Sequence, residues 1–190
     1  MPYFSGLHSR TVKTMSLYFI AVMPDEKIQK EVTAFKRYCQ RHFGAEHALK
    51  SPPHITLIPP YRWREEQLPA LRDVLDMFAL GQTPFEVQLK DFDSFPPRVI
   101  FVNVVKNKQL DELHASLLRK MQAALDYHDQ RAARFHPHMT IAHRDLSKTA
   151  YYKAWDYFSR QHYHRKFLVD KLVLLHHHDR RWHVEQEFFF

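Results

Sequence analysis

A four-residue pattern occurs twice in this chain, and the spacing around each copy repeats with it. His54-Ile55-Thr56-Leu57 follows Pro53 in SPPHITLIPPY, and His138-Met139-Thr140-Ile141 follows Pro137 in FHPHMTIAHRD. Upstream, an apolar run begins 37 residues before His54 at Leu17, and a similar run begins 39 residues before His138 at Val99. Downstream, Phe85 lies 31 residues after His54, and Asp170 lies 32 residues after His138. Such matched intervals predict a tandem duplication of strand–helix–strand–helix–strand. A pseudo-twofold axis would then carry both patterns to equivalent central positions. The expected fold is α+β and two-lobed, with antiparallel sheets forming a central cleft and helices on the outer faces.

Periodicity supports the individual elements. A strand is expected at 16–23. Asp25 caps a helix toward Phe43 with Ile28, Val32, Phe35 and Cys39 on one stripe, and Gly44 stops it. The first His-x-Thr strand is expected at 54–58, ended by Pro59-Pro60. A helix over 65–79 and a strand over 85–92 complete the first unit. The second unit reads as a strand at 98–104, a helix at 108–125, the second His-x-Thr strand at 138–142, and a helix at 149–161 burying Ala154, Trp155 and Phe158. Strands at 168–176 and 183–190 close the chain around a turn near Asp179-Arg180-Arg181. Phe92, Phe95 and Tyr152 read as packing residues, and Trp182 sits in the final turn.

Composition narrows the class. With 190 residues, 45% hydrophobic content and only 3 glycines, the chain has material for a real core and reads as one globular domain over 15–190. Residues 1–14 are polar and aperiodic and read as a flexible N-terminal extension. A net charge of +7 favours an acidic substrate or polyanionic partner. Cys39 is the single cysteine, so no intramolecular disulfide forms, and its helical position reads as core. The apolar run Leu17–Met23 is too short to span a bilayer. The reading is a cytoplasmic protein with no membrane association and no obligate protein partner.

In a strand, side chains i and i+2 share a face. Each pattern therefore puts a His and a Thr on one side and two apolar residues on the other. Two imidazoles and two hydroxyls meeting in one cleft make a metal-free acid–base site for a phosphoester. A neutral and a protonated imidazole coexist near pH 6–7, because the ordinary pKa is about 6.5. Arg144 shares the parity of His138 and Thr140 and, with Arg98, is a candidate phosphate contact through its forked guanidinium. Tyr61 and Trp63, interleaved with Arg62 and Arg64, either stack on a base or cover the core. His136 has the parity to reach the cleft from its loop. His176, His177 and His178 cannot all converge, because neighbours on a strand alternate faces. No recognised metal spacing is present, and neither metal nor other cofactor is implied.

Taken together, PPHITL, HPHMTI, the opening SLYFIAVMP, the central SFPPRVIFVNV and the closing DKLVLLHHHDRRWHVEQEFFF resemble the 2H phosphoesterase superfamily, which includes the 2′-5′ RNA ligase-like proteins and cyclic phosphodiesterases. The resemblance implies a two-lobed fold and metal-independent chemistry on RNA-type phosphodiesters. It makes His54 and His138 the catalytic acid–base pair and Thr56 and Thr140 the phosphate-binding hydroxyls. Substrates implied are 2′,3′-cyclic phosphates or related RNA-derived and nucleotide phosphodiesters. Alternatives are a 2′-5′ RNA ligase or phosphodiesterase on longer RNA, and a non-catalytic RNA-binding module. Two departures stand at the cleft edge. The first motif in the RNA ligase proteins usually runs on into Phe-Leu-Gly, and here into Pro59-Pro60-Tyr61. The second is commonly followed by Leu-Ala-Arg, and here His143 takes the Arg position with Arg144 one place later.

Overall fold

The computed structural model describes residues 15–190; the reading of 1–14 as an extension lies outside the described residues. In chain order the elements are β1 (Met15–Val22), α1 (Glu26–Phe43), a short 3-10 helix (His47–Lys50), β2 (Ile55–Arg64), α2 (Leu68–Ala79), β3 (Phe85–Phe95), β4 (Val99–Val104), α3 (Lys108–Leu125), β5 (His138–Ala142), α4 (Lys148–Phe158), β6 (His164–Val169), β7 (Lys171–His178) and β8 (Arg181–Phe189). The strands build two antiparallel four-stranded sheets, ordered β2-β1-β7-β8 and β5-β4-β3-β6.

Local signals act where the sequence places them. The Asp25 carboxylate accepts from the Ile28 amide at 3.0 Å, and the Asn107 side chain accepts from the Leu110 amide at 3.0 Å. Gly44 ends α1 at φ 70°, a left-handed conformation that a Cβ disfavours. Asp179 and Arg180 both take positive φ, 48° and 60°, and join β7 to β8 as the right-handed strand twist requires of a two-residue hairpin.

Three features of the sheets depart from the sequence reading. Pro59-Pro60 does not end β2, which runs on to Arg64. The prolines sit where the β1–β2 register slips between the Tyr18–Tyr61 and Ile20–Ile58 pairs, and β2 is an edge strand. A bulge on an edge is where proline's missing N–H costs no ladder bond. Second, the segment expected as one strand over 168–176 is two. Val169 pairs with Phe85 in one sheet and Lys171 pairs with Phe189 in the other, so the chain changes lobes at Asp170. Third, the repeated units exchange their ends. β3 joins β4 and β6 in the second sheet, while β7 and β8 complete the first. The helices exchange too: α1 and α4 contact strands β5 and β4, and α2 and α3 contact β7, β8 and β2. The two lobes are thereby interlocked around one continuous core.

In α4 the buried stripe is Tyr151, Ala154 and Phe158, with Trp155 only partly covered. Tyr152 and Phe95, expected in packing, are 55% and 39% exposed, whereas Phe92 is buried. Cys39 is fully buried, and burial pushes its thiol up to about 12, as suits a packing residue.

The core also sets the direction of both His-x-Thr motifs. Ile55, Leu57, Met139 and Ile141 are each 0–1% exposed on the helix-facing sides of their sheets. Burying such a side chain contributes about 1.5–3 kcal/mol. A one-residue slip of either strand would exchange these side chains with the Thr hydroxyls, so packing holds the polar side of each motif toward the cleft.

Candidate active site

The two motifs lie on β2 and β5, the edge strands of their sheets, and these edges meet at the centre of the molecule. His54, Thr56, His138 and Thr140 line one cleft of about 240 Å³. Both rings are anchored identically. His54 Nδ1–H donates to the carbonyl of Pro52 at 2.7 Å, and His138 Nδ1–H donates to the carbonyl of His136 at 2.6 Å. A carbonyl only accepts, so Nδ1 carries the proton and the neutral ring presents Nε2 as its free base. The prolines explain the match. Pro53 and Pro137 each force the preceding residue into extended backbone, which sets that residue's carbonyl beside the ring two places on. His136 thus serves through its backbone, while its exposed ring lies edge-on to Phe95 at 5.0 Å.

Each imidazole leans on a buried phenyl from the neighbouring strand. Phe19 of β1 lies 4.7 Å from His54, and Phe101 of β4 lies 5.0 Å from His138. These phenylalanines are equivalent under the pseudo-twofold relation. Phe19 belongs to a small apolar cluster on the cleft side of the first sheet with Ala21, Val173 and Leu175, backed by Trp182. Trp182 also lines the cleft, edge-on to Phe19 at 4.5 Å.

Of the further residues singled out from sequence, Arg144 lines the cleft. Arg98, Tyr61 and Trp63 do not. Arg98 stands exposed in the β3–β4 turn. Tyr61 pairs across the ladder with Tyr18, whose side chain faces the core, and cross-strand partners share a face. Trp63 follows on that face, 3% exposed, and packs with Tyr61 against Tyr127. The basic–aromatic interleaving after the first motif is therefore strand alternation, with Arg62 out and the aromatics in.

His47, Lys50 and Ser51, which no sequence motif marks, occupy one end of the cleft together with His143, expected at the cleft edge. They come from the loop after α1 and the loop after β5, which are tied together. Asp145 Oδ2 accepts from the backbone amides of Glu46 at 2.9 Å and His47 at 2.8 Å, capping the 3-10 helix from nearly one hundred residues away. The Asp145 amide itself donates to the His143 carbonyl at 2.7 Å, closing a three-residue turn around Arg144. Arg144 has φ 56°, a conformation that costs a non-glycine residue about 1–3 kcal/mol. The clamp by Asp145 sustains that turn, which carries Arg144 to the cleft. No local pattern links residue 145 to residue 47.

The cleft is electropositive and starved of counter-charge. Burial drives His54 down to about 3, reinforced by the nearby Lys36 ammonium and by His138 and His143, against the raising effect of its carbonyl partner. His143 falls to about 4 through burial and the proximity of His47 and Arg144. His138 and His47 are lowered as well, both chiefly by burial. His54 keeps an opening to the cleft, so its value describes the unliganded pocket; an arriving anion reverses part of the shift. All four imidazoles are neutral in the free protein at pH 7.

Neutral buried imidazoles make stability depend on pH. A histidine with a lowered pKa in the folded state binds its proton preferentially when unfolded, so stability is complete above about pH 6.5 and drains away as pH falls toward the folded values. Between pH 6.5 and 4 the melting temperature is expected to fall, and sulfate is expected to restore part of it by occupying the cleft. A melting temperature flat across that range would contradict the buried neutral state of these rings.

The histidine run at the end of β7 divides between faces. His177 lies against Trp182 at 4.9 Å, His176 stacks on Tyr18 at 4.3 Å, and His178 stacks on His183 at 4.0 Å. Among the described residues no three His, Cys, Asp or Glu side chains are grouped so as to hold a metal ion. Likewise, no described helix is long and apolar enough to cross a membrane.

A duplicated α+β fold with a His-x-Thr strand from each half at one cleft defines a class, and the family comparison agrees. The chain belongs to the 2′-5′ RNA ligase superfamily, whose model matches residues 24–181. It is similar to proteins provisionally named phosphoesterases: one from Geobacillus thermodenitrificans is 29% identical over 160 residues, covering 83% of this chain and 86% of that protein. Another from Oceanobacillus iheyensis is 29% identical over 175 residues, covering 90% and 96%. Among solved structures, TT0787 of Thermus thermophilus superposes with a TM-score of 0.66 at 19% identity, covering 91% of this chain and 97% of that one. Escherichia coli LigT complexed with 3′-AMP gives 0.67 at 18% identity, covering 93% and 99%. At these identities the structural likeness speaks for the fold.

Proposed function

We propose that the protein is a metal-independent phosphoesterase that hydrolyses a 2′,3′-cyclic phosphate or a related RNA-derived or nucleotide phosphodiester. The observation that carries this reading is the pair of imidazoles with matched anchoring, each holding Nε2 toward the same cleft.

In the reaction, water attacks phosphorus and loses its proton to one Nε2, while the other Nε2–H gives its proton to the departing ribose oxygen. One P–O bond forms and one breaks, and the cyclic diester becomes a monoester. Electrostatics separates the two roles. His54 feels Lys36 and His143 in addition to burial, whereas His138 feels chiefly burial and its neighbour His136. His54 is thus held neutral more firmly and acts as the base. His138 gains its proton once the phosphodiester charge fills the cleft, and acts as the acid. Thr56 and Thr140 donate to the non-bridging oxygens, where charge builds in the transition state. Arg144 supplies a fixed positive charge at the rim.

The enclosed volume of about 240 Å³ is below the roughly 300–1,000 Å³ of sites for drug-sized ligands. That suits one cyclic phosphate and its sugar, with the base lying outside. LigT has been crystallised with 3′-AMP, and also with phosphate, ATP and NADP+, so phosphate is the group these ligands share.

The deciding assay is hydrolysis of a short RNA ending in a 2′,3′-cyclic phosphate, in EDTA. Full turnover in chelator is expected. Activity lost in EDTA and recovered with zinc would sink the metal-free mechanism, and no turnover of this substrate under any condition would remove the substrate assignment.

A further inference from the structure

Lys36 is an anomaly in α1. It occupies the buried stripe with Ile28, Val32 and Cys39 and is itself 2% exposed. Among the described residues its ammonium has one hydrogen-bond partner, the Ser51 carbonyl at 2.9 Å, and Ser51 lines the cleft just before Pro52-Pro53-His54. Burial alone lowers the lysine to about 7, with no carboxylate raising it. The acidic group nearest this cluster is Asp145, which acts on His47 and His143 and is held by the Glu46 and His47 amides rather than by Lys36; the other groups around the ammonium are basic or neutral. Its charge reaches His54 and His143; the 3-10 helix packed on α1 brings His47 and Lys50, β5 brings His138, and α4 brings Tyr157 beside Tyr38. Glu31 of the same helix is engaged elsewhere by Arg165 and Tyr163.

The duplication shows that the fold does not require a cation there. Aligning the helix caps Asp25 and Asn107 sets Ile28 against Leu110, Val32 against His114 and Cys39 against Met121, all buried. The same alignment sets Lys36 against Leu118, which packs on the core. One lobe therefore carries a buried charge where the other carries an aliphatic side chain. A buried charge without a counter-ion destabilises a fold unless something else retains it.

We propose that Lys36 is the electrostatic anchor of the cleft, a positioning residue whose buried ammonium behind the Ser51–His54 wall supplies the field that holds an anionic phosphate group against His54 and Thr56. The inference deepens the phosphoesterase reading and rests on it for the identity of the anion. Because Lys36 breaks the symmetry between lobes, it also orients the reaction: the imidazole it faces stays the base.

Sulfate, which does not titrate near neutrality, is the probe, measured by calorimetry at pH 6.5 on wild type, Lys36→Met and Lys36→Gln. Lys36→Met is expected to raise the melting temperature and to weaken sulfate binding about tenfold or more, the scale of one unit charge at close range in a partly buried site. The His54 ring, followed by NMR, is expected to titrate at higher pH in that variant. Lys36→Gln offers an uncharged donor in the same pocket, so it is expected to match Lys36→Met in affinity. Unchanged sulfate affinity in both variants overturns the proposal. So does wild-type affinity in Lys36→Gln alone, which would reduce Lys36 to a prop for the Ser51 loop. Lys36-dependent sulfate binding without turnover of the cyclic phosphate would remove the cyclic-phosphate assignment and leave this inference standing.

Discussion

Replacing His54 or His138 with alanine is expected to lower turnover of a 2′,3′-cyclic phosphate by about 10²–10⁴-fold, the usual contribution of a positioned acid or base. In the proposed reaction the two rings act on one transition state, so the double variant is expected to lose little more than the worse single variant. The structure predicts that the fold survives. Each ring is tied to the fold by one backbone carbonyl and by packing on a neighbouring phenyl, and keeps a partly exposed side toward the cleft, so its loss removes no structural ladder or core residue. Removing His54 also removes a group that resists protonation, so the alanine variant is expected to lose less stability than wild type between pH 6.5 and 4. The asymmetry of the pair is testable in the same series. Loss of His54 is expected to abolish the acid limb of the pH–rate profile, and loss of His138 the alkaline limb. Folded variants that keep full activity would dismiss this pair as the site.

The second large effect is expected from the hydroxyls. Thr56→Val and Thr140→Val conserve shape and β-branching, and each is expected to lower kcat by about 10²–10³-fold, as for loss of one donor to a developing oxyanion. Thr56 stands opposite Ala21 and Thr140 opposite Phe101, each next to the central strand of its sheet, so neither variant disturbs the ladder. KM is expected to change less than kcat, because in the proposed role the hydroxyls bind tightest when negative charge peaks. A loss confined to KM would recast them as ground-state binders.

Much of this site is legible along the chain because its parts are local. The period of two in HITL and HMTI puts His and Thr on one side, and the apolar partners that hold that side in place are in the same four residues. The prolines that set each ring's carbonyl partner are adjacent to the rings they serve. The helices α1 and α3 are equally local, with their caps and stripes spaced by the helical repeat itself.

What escapes such reading depends on pairing between distant segments. Tyr61 and Trp63 have a composition suited to stacking on a base, yet the ladder partner Tyr18 turns them into the core. The 168–176 segment is a uniform apolar run, and only the presence of two sheets to receive it divides it at Asp170. Lys36 and Phe35 are neighbours on a helix, and nothing in their spacing tells which one is sealed beneath the cleft.

The chain alone thus establishes the duplication, the two His-Thr faces and the helical stripes, because hydrophobic period and proline stereochemistry act over a few residues. The exchange of β3, β7 and the helices between lobes, the Asp145 clamp on His47 and Arg144, and the charge of Lys36 behind His54 belong to the tertiary structure. Each joins groups far apart in sequence, and only burial in a common core brings them within reach of one another.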